Sequence, residues 1–240
     1  MKLKEKERFV YKTLKELATS RIFFFVIVCE MISAIANFSK LFVKEIHPAY
    51  TNNQIINTLI VLITVLCVSA YSVAVIICYI NIRRYFMGET QTQFGLRYIY
   101  KVHLIGNIVV IGCAFISYLP QIEFKLLYVA AMFLSLMVYF TIIYLIYSSV
   151  IRNAIECAEF AANGFIRGKI GNGIVVYMAF LLISQVFALF SSPLFKFLQY
   201  DSYFTWLKLT LTTFATVSGF VSIILSFILL LKFKKAFNTK

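Results

Sequence analysis

From Pro48 to Ile82 the chain carries no formally charged residue, and that run is long enough to hold a complete crossing of a lipid bilayer. A helix needs about 20 mostly apolar residues to traverse about 30 Å of hydrocarbon. Five further stretches approach the same condition. Between Arg21 and Lys40 the one charge is Glu30, and 102–122 is uncharged apart from His103. Stretches 126–151, 170–195 and 209–231 carry no formal charge. Within lipid every backbone N–H and C=O must be paired internally, so runs of this length are expected as helices. The absence of period-two alternation argues against an outer-membrane barrel.

Composition agrees. The chain is 61% apolar and 14% charged, against about 45–50% and about 25% for a soluble domain. Too few polar side chains remain to cover a water-facing globule, so the apolar surface must face lipid. The expected fold is an all-α membrane protein of six transmembrane helices, at about 21–43, 55–83, 99–120, 125–151, 170–192 and 206–232. They form one integral membrane domain of the cell membrane, multi-pass, with 1–20 as an amphipathic cytoplasmic segment. The basic start precedes an apolar run that contains Glu30 and lacks a cleavage site, so it is expected to be a permanent span and not a removed leader.

The formal charge of +13 could suggest nucleic acid as a partner, but the cations sit in short segments between apolar runs. Cytoplasmic loops and anionic headgroups account for that pattern, and no nucleic-acid partner is expected. With the N-terminus inside, Lys2, Lys4, Lys6, Arg8, Lys12, Lys15, Arg21, Arg83, Arg84, Arg97, Lys101, Arg152, Arg167, Lys169, Lys232, Lys234, Lys235 and Lys240 are cytoplasmic. Lys40, Lys44, Lys125, Lys196 and Lys208 remain outside. Every arginine then falls inside, which fixes both termini in the cytoplasm.

The three prolines, Pro48, Pro120 and Pro193, each follow an odd-numbered span, and the segment beginning Gly106-Asn107 resembles the one beginning Gly171-Asn172. These features suggest three tandem helical hairpins inserted in one orientation, as in transporters built from internal repeats. In 3–20, Leu3, Phe9, Val10, Leu14 and Leu17 recur at roughly helical intervals among lysines and glutamates. That pattern describes a membrane-surface helix, serving as an orientation anchor or as a docking element for a cytoplasmic partner.

Polar groups within the spans are the candidates for function. Glu30 lies about 13 Å along a helix from Arg21, near the bilayer midplane, where an ionisable group by default marks an ion, proton or substrate path. Ser33 and Asn37 share its face through i+3 and i+7 spacing. Tyr144 and Ser222 lie at comparable depth and Tyr71 somewhat further out, so their hydroxyls are candidate donors to Glu30. Gln185, with Tyr177 and Ser184, adds polar groups to the fifth span. The alternative reading of Glu30 is a neutral acid hydrogen-bonded inside a closed bundle.

Other motifs are weaker. His103 and Asn107 stand one turn apart, but no G-x-S-x-G nucleophile accompanies them, so an intramembrane protease is not expected. Thr212, Thr216, Gly219, Ser222 and Ser226 form a small-residue stripe suited to close helix packing. Glu156 and Glu159 suggest a solvated helix face, and Asp201 lies in an aromatic external segment where tyrosines gather for interfacial reasons. Cys29, Cys67, Cys78, Cys113 and Cys157 show no paired spacing, which argues against a disulfide framework and against zinc. No phosphate-binding loop is present, so active transport would draw on an ion gradient or a separate ATPase subunit; no catalytic motif is found, and neither a cofactor nor enzymatic activity is expected.

The amphipathic start, the short loop around Glu89 and the aromatic segment before the last span together resemble the small permease subunits of ATP-binding-cassette exporters. The same order of parts is similar to six-span bacterial membrane proteins with three hairpins. The resemblance is architectural, and no functional residue is carried over from it. It implies a transporter or permease subunit whose partner is a cytoplasmic ATPase or a second copy. A non-transport scaffold or immunity-type protein is the alternative.

Overall fold

In a computed structural model, residues 3–39, 54–118 and 203–238 are described, with isolated helical positions at 137, 179, 182, 183 and 186. The described segments are helical: α1 (Leu3–Thr19), α2 (Arg21–Ser39), α3 (Gln54–Met87), α4 (Phe94–Tyr118) and α5 (Tyr203–Asn238). Three of these five contain stretches long and apolar enough to cross a membrane: Arg21–Ser39, Leu62–Met87 and Leu209–Ala236. The chain is therefore membrane-embedded. The expected spans at 125–151 and 170–192, with Tyr144, Tyr177, Ser184 and Gln185, lie outside the described residues, as do Glu156, Glu159 and Asp201.

Local chemistry explains where the helices stop. Ser20 is the single residue between α1 and α2, and its hydroxyl serves both. It donates to the Leu17 carbonyl at 2.6 Å and accepts from the Phe23 N–H at 3.2 Å. The second bond is an N-cap, which satisfies one of the free donors at the start of a helix. At the far end of α3, Gly88 adopts φ 83°, a left-handed conformation that glycine enters without steric cost. Its N–H reaches the Tyr85 carbonyl at 3.1 Å and the Glu89 N–H reaches that of Arg84 at 3.0 Å, closing the helix as a Schellman motif. The Arg84–Glu89 ion pair at 3.2 Å crosses the same turn.

α2 packs on both α5 and α3, and α4 packs on α3. Among the described residues the α3 and α5 backbones do not approach closely, so the helix pairings run in a row from α5 to α2 to α3 to α4. Neighbours are antiparallel: Gly95 lies against Ile82 and Gly106 against Tyr71, Tyr79 meets Phe23 while Arg83 reaches back to Ser20, and Ser222 meets Glu30 while Phe233 clusters with Ala18. Gly95 allows α4 to close on α3. A β-carbon there would run into the Cys78 carbonyl oxygen and lie 2.8 Å from the Ile82 amide nitrogen.

α1 lies across one end of this row. Val10 and Ala18 are buried with Phe86 of α3, Leu96 of α4 and Phe233 of α5, and Tyr11, Leu14 and Leu17 pack around them. Burying each large apolar side chain of such a cluster is worth about 1.5–3 kcal/mol. Arg8, Lys12, Lys15 and Glu16 point outward and are exposed. Amphipathicity in α1 was expected to address the membrane surface. Val10, Leu14 and Leu17 of that face pack on the chain's own helix ends, while Phe9 is exposed. This also accounts for helices that outrun the expected spans, because Phe86, Leu96 and Phe233 belong to that cluster and extend α3 to Met87, start α4 at Phe94 and carry α5 to Asn238. The described basic residues near α1 and at the adjoining ends of α2, α3, α4 and α5 consequently gather at one end of the molecule.

Candidate functional site

α2 packs on both α5 and α3, and its carboxyl group is turned into a helix interface. The Ser222 hydroxyl of α5 donates to Glu30 Oε1 at 2.7 Å. Ser222 is one of the most deeply buried side chains, 2% exposed, while Glu30 is half-buried. Ala215 and Ser218 precede Ser222 by seven and four residues on the same face of α5, and all three are small and buried, which suits close approach of two backbones. An ionised carboxylate in hydrocarbon is costly, and a hydrogen bond to it offsets part of that cost.

Of the three hydroxyls expected as donors, Ser222 fills the role. Tyr71 is directed elsewhere: its hydroxyl lies 2.8 Å from His103 Nδ1 on α4. His103 is buried, and its ring meets those of Tyr71 and Tyr79 at 5.9 and 6.3 Å between centroids. Gly106, one turn along α4, sits flush against the Tyr71 ring, where a β-carbon would overlap ring carbons. This α3–α4 pair was not foreseen. A lone histidine gave no indication of its partner, although Gly106 three residues later was a signal that something large approaches α4 there.

Ser33 lies one turn beyond Glu30 and is half-buried, as is Asn37. Thr216 of the α5 stripe bonds its own backbone, donating to the Thr212 carbonyl at 2.7 Å, and Ser218 donates to Ala215 at 3.2 Å. Ser222 is thus the member of that stripe that makes an inter-helix hydrogen bond to Glu30.

At the α1 end, Arg83 ties the α1–α2 elbow to α3. Its Nη1 donates to the Ser20 carbonyl at 3.0 Å, and the guanidinium lies 5.4 Å from the centroid of the Phe24 ring. Near it, burial among the α1 contacts pushes the Tyr11 phenol above its usual pKa of 10.0, and Tyr85 adds to the effect. Cys29, Cys67 and Cys78 are free thiols.

No family model, curated protein or solved structure matches this chain.

Proposed function

We propose that the chain is a small transporter or permease subunit of the cell membrane. It would cross six times as three like-oriented hairpins, with both termini cytoplasmic and Glu30 as the group on which transport depends. The observation that carries the reading is the Glu30–Ser222 contact, an ionisable side chain about 13 Å into a membrane helix and half-buried between packed helices. An intramembrane carboxyl retained at such cost is the usual mark of an ion or proton path. The collection of basic residues around α1 supports a cytoplasmic placement of that end. The exposed charged face of α1 is then the natural seat for a cytoplasmic ATPase.

One observation favours the alternative scaffold reading: Ser222 already hydrogen-bonds the carboxyl, so the pair could serve only to hold α2 against α5. Glu30→Gln separates the two readings, because the amide oxygen still accepts from Ser222 while the ionisable group is gone. In proteoliposomes of the full chain, with an imposed sodium or proton gradient, the native protein should pass ions and Glu30→Gln should not, at unchanged thermal stability. Equal flux through both proteins, or none through either, would leave the scaffold reading standing.

A further inference from the structure

The pairing of α2 with α3 brings two serines of α3 to the depth of Glu30. The rings of Phe23 and Tyr79 meet at 5.6 Å between centroids, which fixes the register of two antiparallel helices. Seven residues beyond Phe23 stands Glu30, and seven before Tyr79 stands Ser72. Ten residues along in the same directions stand Ser33 and Ser69. At 1.5 Å per residue each pair shares a depth, about 10 Å and about 15 Å above the ring contact.

The faces agree as well as the depths for Glu30, Ser72 and Ser69, while Ser33 lies at the edge of the α2 seam. Ser69, Ser72, Ile76, Tyr79 and Arg83 follow the alternating three- and four-residue spacing of a helix–helix seam, as do Phe23, Ile27, Glu30, Ala34 and Asn37. Tyr79 and Arg83 are seen to touch α2, so the seam is the α2-facing one. Ser69 supplies an independent sign of a ligand. It is 9% exposed, and its Oγ is buried with no hydrogen-bond partner among the described residues. A buried hydroxyl without a partner is rare and calls for a water or an ion.

We infer that Glu30, Ser222, Ser72 and Ser69, with Ser33, form one binding site for a sodium-sized monovalent cation where α2 meets α3 and α5. The donor set is a carboxylate and hydroxyl oxygens, hard ligands that suit a hard cation. The charge count selects valence. One carboxylate in hydrocarbon is neutralised by one positive charge, whereas a divalent ion would leave an unpaired charge in the membrane. The inference deepens the transport reading by naming the ion at Glu30, and it rests on Glu30 being that site.

Radioactive sodium binding to the purified full chain in nanodiscs tests it without requiring turnover. Saturable binding is expected, with potassium competing poorly. Ser72→Ala and Ser69→Ala should each weaken it by about tenfold or more, and Glu30→Gln should abolish it. A purely structural role predicts a different outcome for Ser69→Ala, which removes an unpartnered hydroxyl: equal or higher thermal stability and no change in sodium affinity. Sodium binding unaffected by the serine variants overturns the site as drawn. Glu30-dependent flux driven by pH, with no sodium binding, overturns the cation assignment and leaves the transport reading intact. Neither binding nor flux overturns both.

Discussion

Replacing Phe86 by alanine should release α1 from the helix ends while leaving the membrane-embedded packing in place. Phe86 is 2% exposed and is the largest of the fully buried side chains. It lies in the cluster with Val10, Ala18, Leu96 and Phe233, with its ring 6.0 Å from that of Tyr11 and 5.2 Å from that of Tyr85. Truncating a buried phenylalanine to alanine costs about 3–5 kcal/mol, most of it from lost apolar contact and the cavity left behind. At 1.4 kcal/mol per tenfold, the lower figure raises the undocked population of α1 about a hundredfold. Trypsin reports this directly, because Arg8, Lys12 and Lys15 lie on the exposed face of α1 yet are shielded from cleavage while the backbone is held in a docked helix. Cleavage at those sites should accelerate by about two orders of magnitude where opening is fast relative to cutting. An unchanged cleavage rate would refute the account, since it would mean that something other than this cluster, such as the membrane surface, holds α1.

Two further outcomes concern the same contacts and the α3–α4 seam. The raised pKa of Tyr11 means that the docked state prefers the neutral phenol. Its contribution is therefore complete below pH 10 and is lost as pH climbs through the higher folded value. The difference in tyrosinate absorbance between native protein and Tyr11→Phe should show one phenol titrating above 10, and a group titrating at or below 10 would contradict the burial described. Gly95→Ala and Gly106→Ala should both lower the thermal midpoint, with Gly95→Ala the more damaging. The alanine methyl at 95 meets α3 backbone, whereas at 106 it meets the Tyr71 side chain, which can swing away at the expense of its His103 contact.

The membrane character of the chain and the position of its central carboxyl were legible from charge spacing alone. Helix formation in lipid follows from apolar length, and three such stretches stand where the uncharged runs lie. Glu30 was conspicuous because an isolated charge in an apolar run is visible in one dimension. Its partner was visible only as one hydroxyl among several, since Ser222 lies 192 residues away and no local pattern states which helix faces which. Ser69 and Ser72 were invisible for the same reason, as serines in an apolar run acquire meaning only once the Phe23–Tyr79 contact fixes a register. For α1, the amphipathic pattern records that a surface is covered and not by what, so its contacts with Phe86, Leu96 and Phe233 were not legible. Aromatic residues just beyond the spans, Phe86 and Phe233, were the available hint, since they continue an apolar face past the point where lipid contact should end.

The cluster under α1 also constrains the order in which the molecule can be completed. Val10 and Ala18 lie in α1, and Phe233 belongs to α5, some two hundred residues later in the chain. Synthesis proceeds from the N-terminus, so the earliest segment leaves the ribosome without the side chain that finishes its binding surface. The same is true of Glu30, whose hydroxyl partner arrives with α5. Until then the nascent protein carries an uncovered apolar strip and an acid awaiting Ser222, both of which are recognisable as signs of an unfinished chain. Closure of α1 onto α5 therefore waits until α5 has been made, and a product truncated before α5 would expose that strip for as long as it survives.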